Sequence, residues 1–425
     1  MRRNLILLAL CQGLFLTNNV LFMAVNGLVG LTMAPMGWLA TLPIMAYVIG
    51  GAASTGLVAK TQKQLGRRKS FELGIVVAII SAVLCVLAVL FRQFWLLVTA
   101  TFVAGFYQAN GQLYRFAAAE LATPELREKA VSWVLAGGLL GAVAGPNLAS
   151  YTKDLFDVEF AGSYLSLVFV GLLAFLLMHR IRFYDQEEVD QKDTSPTPGS
   201  LNAKSNTSYA KPQPHQKSQQ ISQTKASDQL VSRSLREIMR QPVFLISVLG
   251  ASLGYGVMNL LMAATPLAMQ ICGMPFSDAA FVLEWHVIGM FAPGFFTGHL
   301  IQRFGAARIM LTGVFLNLVC IGIALSGTAL HQFAIALFVL GVGWNFLFTA
   351  STTFSLKAYN PSERDKAQGA INFWVFFVMG LSSLGSGALV TSQGWQILNF
   401  ISILPMLFLL LVFSVYFIRN RSMPT

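Results

Sequence analysis

Long apolar runs recur along almost the whole chain, separated by short polar stretches. Each run is close to the roughly 20 apolar residues that a helix needs to cross a bilayer core about 30 Å thick. Lipid offers the backbone no hydrogen-bonding partner, so such runs are expected to be helical. The pattern predicts an all-α membrane protein with twelve spans, at residues 4–30, 37–59, 71–91, 94–119, 130–150, 161–180, 242–270, 278–300, 307–328, 331–356, 367–391 and 395–418.

One long segment interrupts this pattern. Residues 185–236 are rich in Ser, Gln, Lys and Pro and hold too few apolar residues to build a core. We therefore expect a disordered linker between an N-terminal half, residues 1–184, and a C-terminal half, residues 237–425. A plain tether is the simplest reading of the linker, and a regulatory site within it is the alternative.

A short motif occurs once in each half. The segment 124–130, Pro-Glu-Leu-Arg-Glu-Lys-Ala, recurs as Pro-Ser-Glu-Arg-Asp-Lys-Ala at 361–367. Upstream of these segments, Gly66-Arg67-Arg68 has a counterpart around Gly305 at nearly the same distance. Many secondary transporters are built from two such repeats, with the substrate site near the midplane between them. The repeat thus predicts two pseudo-symmetric six-helix bundles.

The charge is sparse and unevenly placed. Charged residues make up 11% of the chain, against about 25% in a soluble domain. The net charge is +11, yet of the basic residues between the predicted spans only Arg92 and Lys153 fall on one side of the membrane. By the positive-inside rule, the other side, with both termini and the linker, is cytoplasmic. The charge therefore indicates orientation in a bacterial inner membrane and not nucleic-acid binding.

Neither a metal site nor a catalytic site is indicated. The four cysteines stand singly in or beside apolar runs, so we expect small buried hydrophobes and no metal or other cofactor. The chain also lacks a phosphate-binding Gly-rich loop and a hydrolase motif, so no enzyme activity is expected.

The loops after spans 2 and 8 resemble a known signature. In the major facilitator superfamily it reads Gly-x-x-x-Asp-Arg-x-Gly-Arg-Arg. The first copy here keeps Gly66-Arg67-Arg68 but has Lys63 in place of Asp, and the second keeps Arg303 and Gly305 with Gln302 in place of Asp. The resemblance implies that fold, a monomer, and a loop that acts as a cytoplasmic latch between the halves. A tight basic turn is the alternative explanation.

Two further resemblances point to different branches of the superfamily. Gly141 to Ser150 is similar to the first half of the span-5 motif of drug–proton antiporters, although close helix packing also explains it. The antiporters' span-4 arginine is absent near Thr101. The segments 114–120 and 285–293 resemble bacterial members identified as riboflavin carriers.

An acidic residue and a histidine lie within predicted span 8. Glu284 is about 10 Å below the membrane surface at 1.5 Å per residue, where an ionisable group usually serves function. His286 titrates near neutral pH in its unperturbed state. Two residues on a helix are about 200° apart, so the pair is expected to face different neighbours. Both are proton-coupling candidates, with packing as the alternative.

Amides and aromatic rings supply most of the remaining polar groups in the spans. The resemblance places spans 1, 4, 7, 10 and 11 around a central cavity, where such groups suit a planar, polar solute. Hydrogen bonding between helices is the alternative for any single amide. For Arg115, binding a carbonyl or anionic group, a gate ion pair with Glu120, and snorkelling to the surface all remain open. The predicted substrate-binding set is Asn19, Tyr107, Gln108, Gln112, Arg115, Asn259, Trp344, Asn345, Asn372 and Trp374.

Together these features predict a secondary transporter in the lipid bilayer. We expect it to move a small organic solute, riboflavin or a similar planar molecule, by alternating access with a proton as the coupling ion. Proton-driven efflux of drugs or metabolites is the alternative transport function. A membrane sensor or scaffold that signals through the linker is the alternative from another class.

Overall fold

A computed structural model describes residues 2–123, 126–183 and 233–421. These residues form helices joined by short turns, and no strand occurs among them. Most of the predicted linker therefore lies outside the described residues. The helices are α1 (Arg2–Met33), α2 (Leu42–Leu90), α3 (Phe94–Gly111), α4 (Tyr114–Glu120), α5 (Arg127–Thr152), α6 (Ala161–His179), α7 (Leu235–Met239), α8 (Pro242–Ile271), α9 (Phe276–Phe291), α10 (Gly294–Phe304), α11 (Ala306–Leu325), α12 (Leu330–Ser355), α13 (Arg364–Ser392) and α14 (Gly394–Arg421).

The all-helical prediction is confirmed for the described residues, whereas the count of twelve spans stays a prediction. In this part of the chain, nine helices are long and apolar enough to cross a membrane, or ten if α9 and α10, bent by 41°, form one span. Helix α2 has 49 residues, about 74 Å, which exceeds twice the thickness of a bilayer core. It therefore holds both predicted spans 2 and 3. Predicted span 4 corresponds to α3 and α4, which are separated by a turn at residues 112–113.

Two glycines produce equivalent bends in the two halves. Gly66 interrupts α2 with φ 77° and ψ 168°, and Gly305 separates α10 from α11 with φ 84° and ψ 147°. Positive φ of this kind is strained for residues with a Cβ atom, so glycine is the residue that fits. The same backbone conformation at both repeat positions supports the duplication that the sequence predicts.

The helices form two halves that meet along matching elements. Helices α1 to α6 pack together, as do α8 to α14. Between the halves, α1 contacts α8 and α9, α2 contacts α13, and α5 contacts α9. One of these contacts is very close: the backbone N–H of Gly387 donates to Thr41 Oγ1 at 3.0 Å, where a Cβ atom on Gly387 would lie 2.4 Å from that oxygen.

The bundle has two distinguishable ends. We call the end with Gly66, Glu120, Gly305 and Glu363 the basic end, and the end where α1, α5, α8 and α13 finish the opposite end. At the basic end, ion pairs lie within one half: Arg67 Nε donates to Glu120 Oε2 at 3.0 Å. Likewise Glu72 on α2 contacts His179 on α6 at 3.0 Å.

The halves are joined from the middle of the helices to the opposite end. Near that end, the rings of Phe160 and Phe276 meet edge to face with centroids 5.2 Å apart. Closer to the middle, a Cβ atom on Gly380 would lie 3.6 Å from Ile49. Further toward the basic end, Gly56 on α2 and Gly369 on α13 face open space. The basic-end helices α4 and α10 pack within their own halves. The structure is therefore closed at the opposite end and open at the basic end.

An ion pair at the basic end ties the first described residue of the C-terminal half to the start of α13. Arg233 Nη2 donates to Glu363 Oε2 at 2.7 Å and Arg233 Nε donates to Glu363 Oε1 at 2.8 Å, so the contact is bidentate. Hydrogen bonds from Arg233, followed by those from the Asn360 backbone, lower the pKa of Glu363 to about 2. The pair thus joins Arg233, which precedes α7, to the turn before α13.

Candidate functional site

Contacts between helices place a polar layer at the middle of the bundle. Asn345 Nδ2 on α12 donates to the carbonyl of Met290 on α9 at 2.7 Å. On the other side of α9, Val287 packs in one apolar cluster with Leu16 and Val20 of α1. The central parts of α1 and α12 are therefore at the same level as the end of α9, where α9 meets α10.

Asn19 and Asn259 occupy equivalent positions in the two halves. A Cβ atom on Gly27 of α1 would lie 2.7 Å from Leu267 Cδ1 of α8, which brings these residues to one level. Asn19 precedes Gly27 by eight residues and Asn259 precedes Leu267 by eight. Because α1 and α8 run in the same direction, both amides lie about 12 Å from that contact, toward the basic end.

Several buried polar atoms at this level have no hydrogen-bonding partner in the described structure. Leaving such an atom unpaired costs about 1–3 kcal/mol, so these atoms are suited to bind water or a solute. Three are amide oxygens that can accept and two are N–H groups that can donate. They are Asn19 Oδ1, Gln108 Oε1, Asn259 Oδ1, Asn18 Nδ2 and Trp344 Nε1.

Three aromatic rings form a platform in the C-terminal half. The rings of Trp344 and Phe348 are stacked, with centroids 5.3 Å apart and planes 9° apart. Tyr255 on α8 meets Trp344 edge to face at 5.2 Å and Phe348 at 5.5 Å. Such offset and edge-to-face arrangements are the favourable ones for aromatic rings. We call these three residues the aromatic platform.

Two predicted substrate-binding amides also hold helices together. Asn259 Nδ2 lies within hydrogen-bonding distance of Ser383 Oγ at 2.8 Å, Ser382 Oγ at 3.0 Å and the Met379 carbonyl at 3.2 Å, all on α13. Only its oxygen remains unpaired. The side-chain nitrogen and oxygen of Asn345 are both hydrogen-bonded, because its oxygen also accepts from Thr297 Oγ1 at 2.7 Å. Asn345 thus joins α12 to the break between α9 and α10, which favours the packing alternative.

The other predicted residues are distributed between the core and open surfaces. Tyr107 is buried, and its ring meets Phe15 edge to face at 5.4 Å. Arg115 is exposed as a residue, and its guanidinium lies over the neighbouring Phe116 ring at 4.9 Å. Glu120 pairs with Arg67 in this conformation, and a gate ion pair of Arg115 stays a prediction. Gln112, Asn372 and Trp374 are exposed in the half of the bundle near the basic end.

Glu284 and His286 have different neighbours. Glu284 Oε2 accepts from Asn147 Nδ2 of α5 at 2.8 Å, across the interface between the halves. His286 is fully buried, with Nδ1 2.7 Å from the carbonyl of Leu337 on α12. The two side chains therefore do not pair, in agreement with their helical spacing.

The loop motif residues stay within their own halves in this conformation. Arg67 contacts Gln62 and Glu120, and Arg68 lies 3.6 Å from Glu72, all in the N-terminal half. In the other copy Gln302 is exposed, and Arg303 lies over the Phe304 ring at 5.3 Å. For these residues the structure shows no latch between the halves.

Sequence reasoning missed two residues of this region. Asn147 follows Gly145-Pro146 in a segment that was interpreted through its resemblance to an antiporter motif or as helix packing, although its amide inside an apolar run was a signal of its own. Phe348 was counted as an apolar residue of span 10. Its position four residues after Trp344 could have indicated the stacked pair.

Comparisons with known proteins agree with this architecture. A model of the Major Facilitator Superfamily matches residues 5–292 and 285–425. The chain is 34% identical over 412 residues to the riboflavin transporter RfnT of Brucella anthropi, covering 97% of this chain and 94% of that protein. It is also 24% identical over 390 residues to the uncharacterized MFS-type transporter YddS of Bacillus subtilis, covering 90% and 84%.

Solved structures of transporters share the fold at low sequence identity. A D-xylose–proton symporter superposes with a TM-score of 0.69 at 14% identity, covering 95% of this chain and 96% of that one. The xylose transporter XylE from E. coli, in a partially occluded inward open conformation, gives a TM-score of 0.66 at 15% identity with the same coverage. The chain therefore belongs to the Major Facilitator Superfamily and is an integral membrane transporter, not an enzyme.

Proposed function

We propose that this transporter moves riboflavin, or a similar planar and polar solute, across the bacterial inner membrane by proton-coupled alternating access. The relative RfnT is named a riboflavin transporter and aligns along nearly the whole chain. The observation that carries the proposal is the pairing of a stacked aromatic platform with unpaired buried amides at the same level. A flavin has a flat ring system to stack and a polar edge to hydrogen-bond.

The positive-inside rule supports an orientation for this conformation. Basic residues gather at the basic end, so we assign that end to the cytoplasm. The halves are apart there and joined at the opposite end, and the conformation is then inward-open. In this state the platform would release solute to the cytoplasm, which is the final step of uptake.

The proposed binding residues are those that offer free groups at the polar layer. Trp344 and Phe348 would stack on the ring of the solute, while Trp344 Nε1 would donate to it. Asn19, Gln108 and Asn259 would accept through their unpaired oxygens. Glu284 remains the proposed proton-coupling residue, because it is a half-buried carboxyl group within a span.

The test is uptake of labelled riboflavin by proteoliposomes that contain the purified protein. We expect Trp344→Phe to weaken apparent affinity about three- to tenfold, since it keeps the stack and removes one hydrogen bond. Trp395→Phe is the matched control, because its Nε1 donates to the Ala324 carbonyl at 3.2 Å near the opposite end. Equal effects of both variants, or no riboflavin uptake by the wild type, would contradict the proposal. Competition by unrelated lipophilic cations would favour efflux instead.

A further inference from the structure

One hydrogen bond joins the two halves through a membrane-embedded carboxyl group. Asn147 Nδ2 donates to Glu284 Oε2 at 2.8 Å, and its second hydrogen is directed at the Val143 carbonyl of its own helix, also at 2.8 Å. Glu284 lies eight residues into α9 from the opposite end, and Asn147 lies five residues before the end of α5. The bond is thus within the closed part of the interface and must break when the opposite end opens.

We propose that Asn147 is the positioning partner of Glu284 and makes closure of the opposite end depend on the protonation of that carboxyl group. The inference rests on the proposed proton coupling and adds the residue through which a proton would act on conformation.

The physical reason is the difference between a charged and a neutral acceptor. A hydrogen bond to a carboxylate is roughly twice as strong as one to a neutral group. Ionised Glu284 therefore holds α9 against α5 more firmly than protonated Glu284 does. Opening of the opposite end breaks this bond, so a proton on Glu284, which weakens the bond, favours opening. By the same linkage, opening raises the affinity of Glu284 for the proton. Protonation is expected to favour opening of the opposite end by about tenfold.

No other described charged group takes over this role. Helices α1, α5, α8, α10 and α12 pack against α9, and none has an acidic or basic side chain at the level of Glu284. His331 of α12 is exposed at the start of its helix, six residues nearer the opposite end than the Leu337 contact of His286. On α9 itself, His286 contacts α12, and Asp278 lies six residues closer to the opposite end. Lys153, just beyond α5, pairs with Glu159 at 3.0 Å and also lies 5.9 Å from the centroid of the Phe276 ring in the other half, a contact that involves no carboxyl group. Among the described residues, Glu284 is therefore the carboxyl group that joins the halves in this part of the interface.

The geometry also explains why the amide belongs on α5. An asparagine can donate to the carboxyl group whether or not that group is ionised, so the closed state survives protonation in a weakened form. An arginine or lysine at position 147 would leave a buried charge unpaired whenever Glu284 took up a proton. An amide thus permits a reversible change in strength, as a carrier that cycles between two states requires.

The experiment measures opening of the opposite end directly, without any solute. A spin label on native Cys272, which is exposed, and a second on Asp157→Cys would report the distance between the halves by pulsed spin resonance. The other three cysteines, Cys11, Cys85 and Cys320, are buried. In the wild type we expect the population with long distances to grow by up to about tenfold as the pH is lowered from 8 to 4, a range that includes the ordinary pKa of a carboxyl group.

Three variants separate proton control from simple packing. Glu284→Gln, an isosteric neutral group, should give a pH-independent distribution that resembles the wild type at low pH. Asn147→Ala should be more open at pH 8 and respond less to pH. Asn147→Asp should reverse the slope, since two carboxyl groups repel when ionised and share a proton when one is protonated. A packing role alone does not produce this reversal.

The outcomes are decisive and separable from the substrate assignment. A wild-type distribution that does not change with pH would overturn the inference, as would Glu284→Gln with a wild-type response. If Asn147→Asp does not fold, the comparison of wild type with Glu284→Gln still decides. A pH response without riboflavin transport would keep this inference and reject only the proposed solute.

Discussion

We predict that Phe373 on α13 meets Gly56 on α2 when the basic end closes. On α13, the residues that face the N-terminal half are spaced by three or four positions, which is one face of a helix; they are Gly380, Leu384, Gly387 and Thr391. Phe373 continues this face seven residues toward the basic end, and Gly56 lies seven residues beyond Ile49 on α2. Both positions are about 10 Å past the contact of Gly380 with Ile49.

The stabilisation of that closed state can be worked out from the exposed ring. Phe373 is 62% exposed, and a phenylalanine buries about 200 Å² when fully covered. Covering the exposed part removes about 120 Å², or about 3 kcal/mol at 25 cal/mol per Å². If the partner covers half of it, Phe373→Ala loses about 1.5 kcal/mol, which reduces the population closed at the basic end by about tenfold.

The assay is cysteine cross-linking in proteoliposomes. Gly56→Cys combined with Phe373→Cys should cross-link with a short bifunctional reagent and stop transport. The matched control is Gly56→Cys with Asn372→Cys, because Asn372 is exposed at the same level but about 100° around the helix. Faster cross-linking of the control pair, or transport with no cross-linking of the predicted pair, would refute the reasoning.

Three further substitutions test other parts of the structure. Gly387→Ala should favour opening of the opposite end, measured by thiol labelling of Cys272, because its Cβ atom would clash with Thr41, just before α2. Gly322→Ala, where nothing lies within 4 Å, should be neutral. Asn259→Ala should reduce thermal stability by about 1–2 kcal/mol, since it loses its bonds to α13, and a wild-type melting temperature would contradict this role. The contact of Arg233 with Glu363 depresses the pKa of the carboxyl group, so its stabilisation is fully present above about pH 4.5 and is lost only as pH falls through about 2. At each pH, tryptic cleavage at Arg233 should therefore be faster in Glu363→Gln than in the wild type, and the ratio of the two rates should be the same at pH 8 and pH 5. A ratio that changes between these pH values would contradict the assignment.

The sequence predicted helices and repeat positions well because these depend on local information. An apolar run of sufficient length is helical in lipid whatever its neighbours are. A glycine at the start of a basic loop indicates a positive φ, as Gly66 and Gly305 both show. The break within predicted span 4 was not predicted. It lies at residues 112–113, next to the polar residues Asn110 and Gln112.

The site was less predictable because its partners are far apart in sequence. Asn147 and Glu284 are separated by 137 residues, and the sequence pattern of neither helix predicts a contact with the other. The Arg115–Glu120 pairing was suggested by proximity along the chain, yet five residues on a helix are about 140° apart. Glu120 instead pairs with Arg67, since the bend at Gly66 brings the loop arginine to the end of α4.

The two halves contribute different chemistry to the polar layer, and this division has a consequence for transport. The aromatic platform belongs wholly to the C-terminal half, while Asn18, Asn19 and Gln108 of the N-terminal half keep unpaired polar atoms. A planar solute that stacks on one half and hydrogen-bonds to the other bridges them, so its binding can change their relative stability in the two states.

A flat ring without polar edges would occupy the platform but leave the N-terminal amides unpaired. We therefore predict that such a compound quenches Trp344 fluorescence and competes with riboflavin, yet is itself not transported. Flux measurements with labelled compounds decide this, with Trp344→Phe as the control for the quenching signal. Efficient transport of the apolar ring would show that a solute need not bridge the two halves. The change between the two states would then have to be coupled to solute binding in another way.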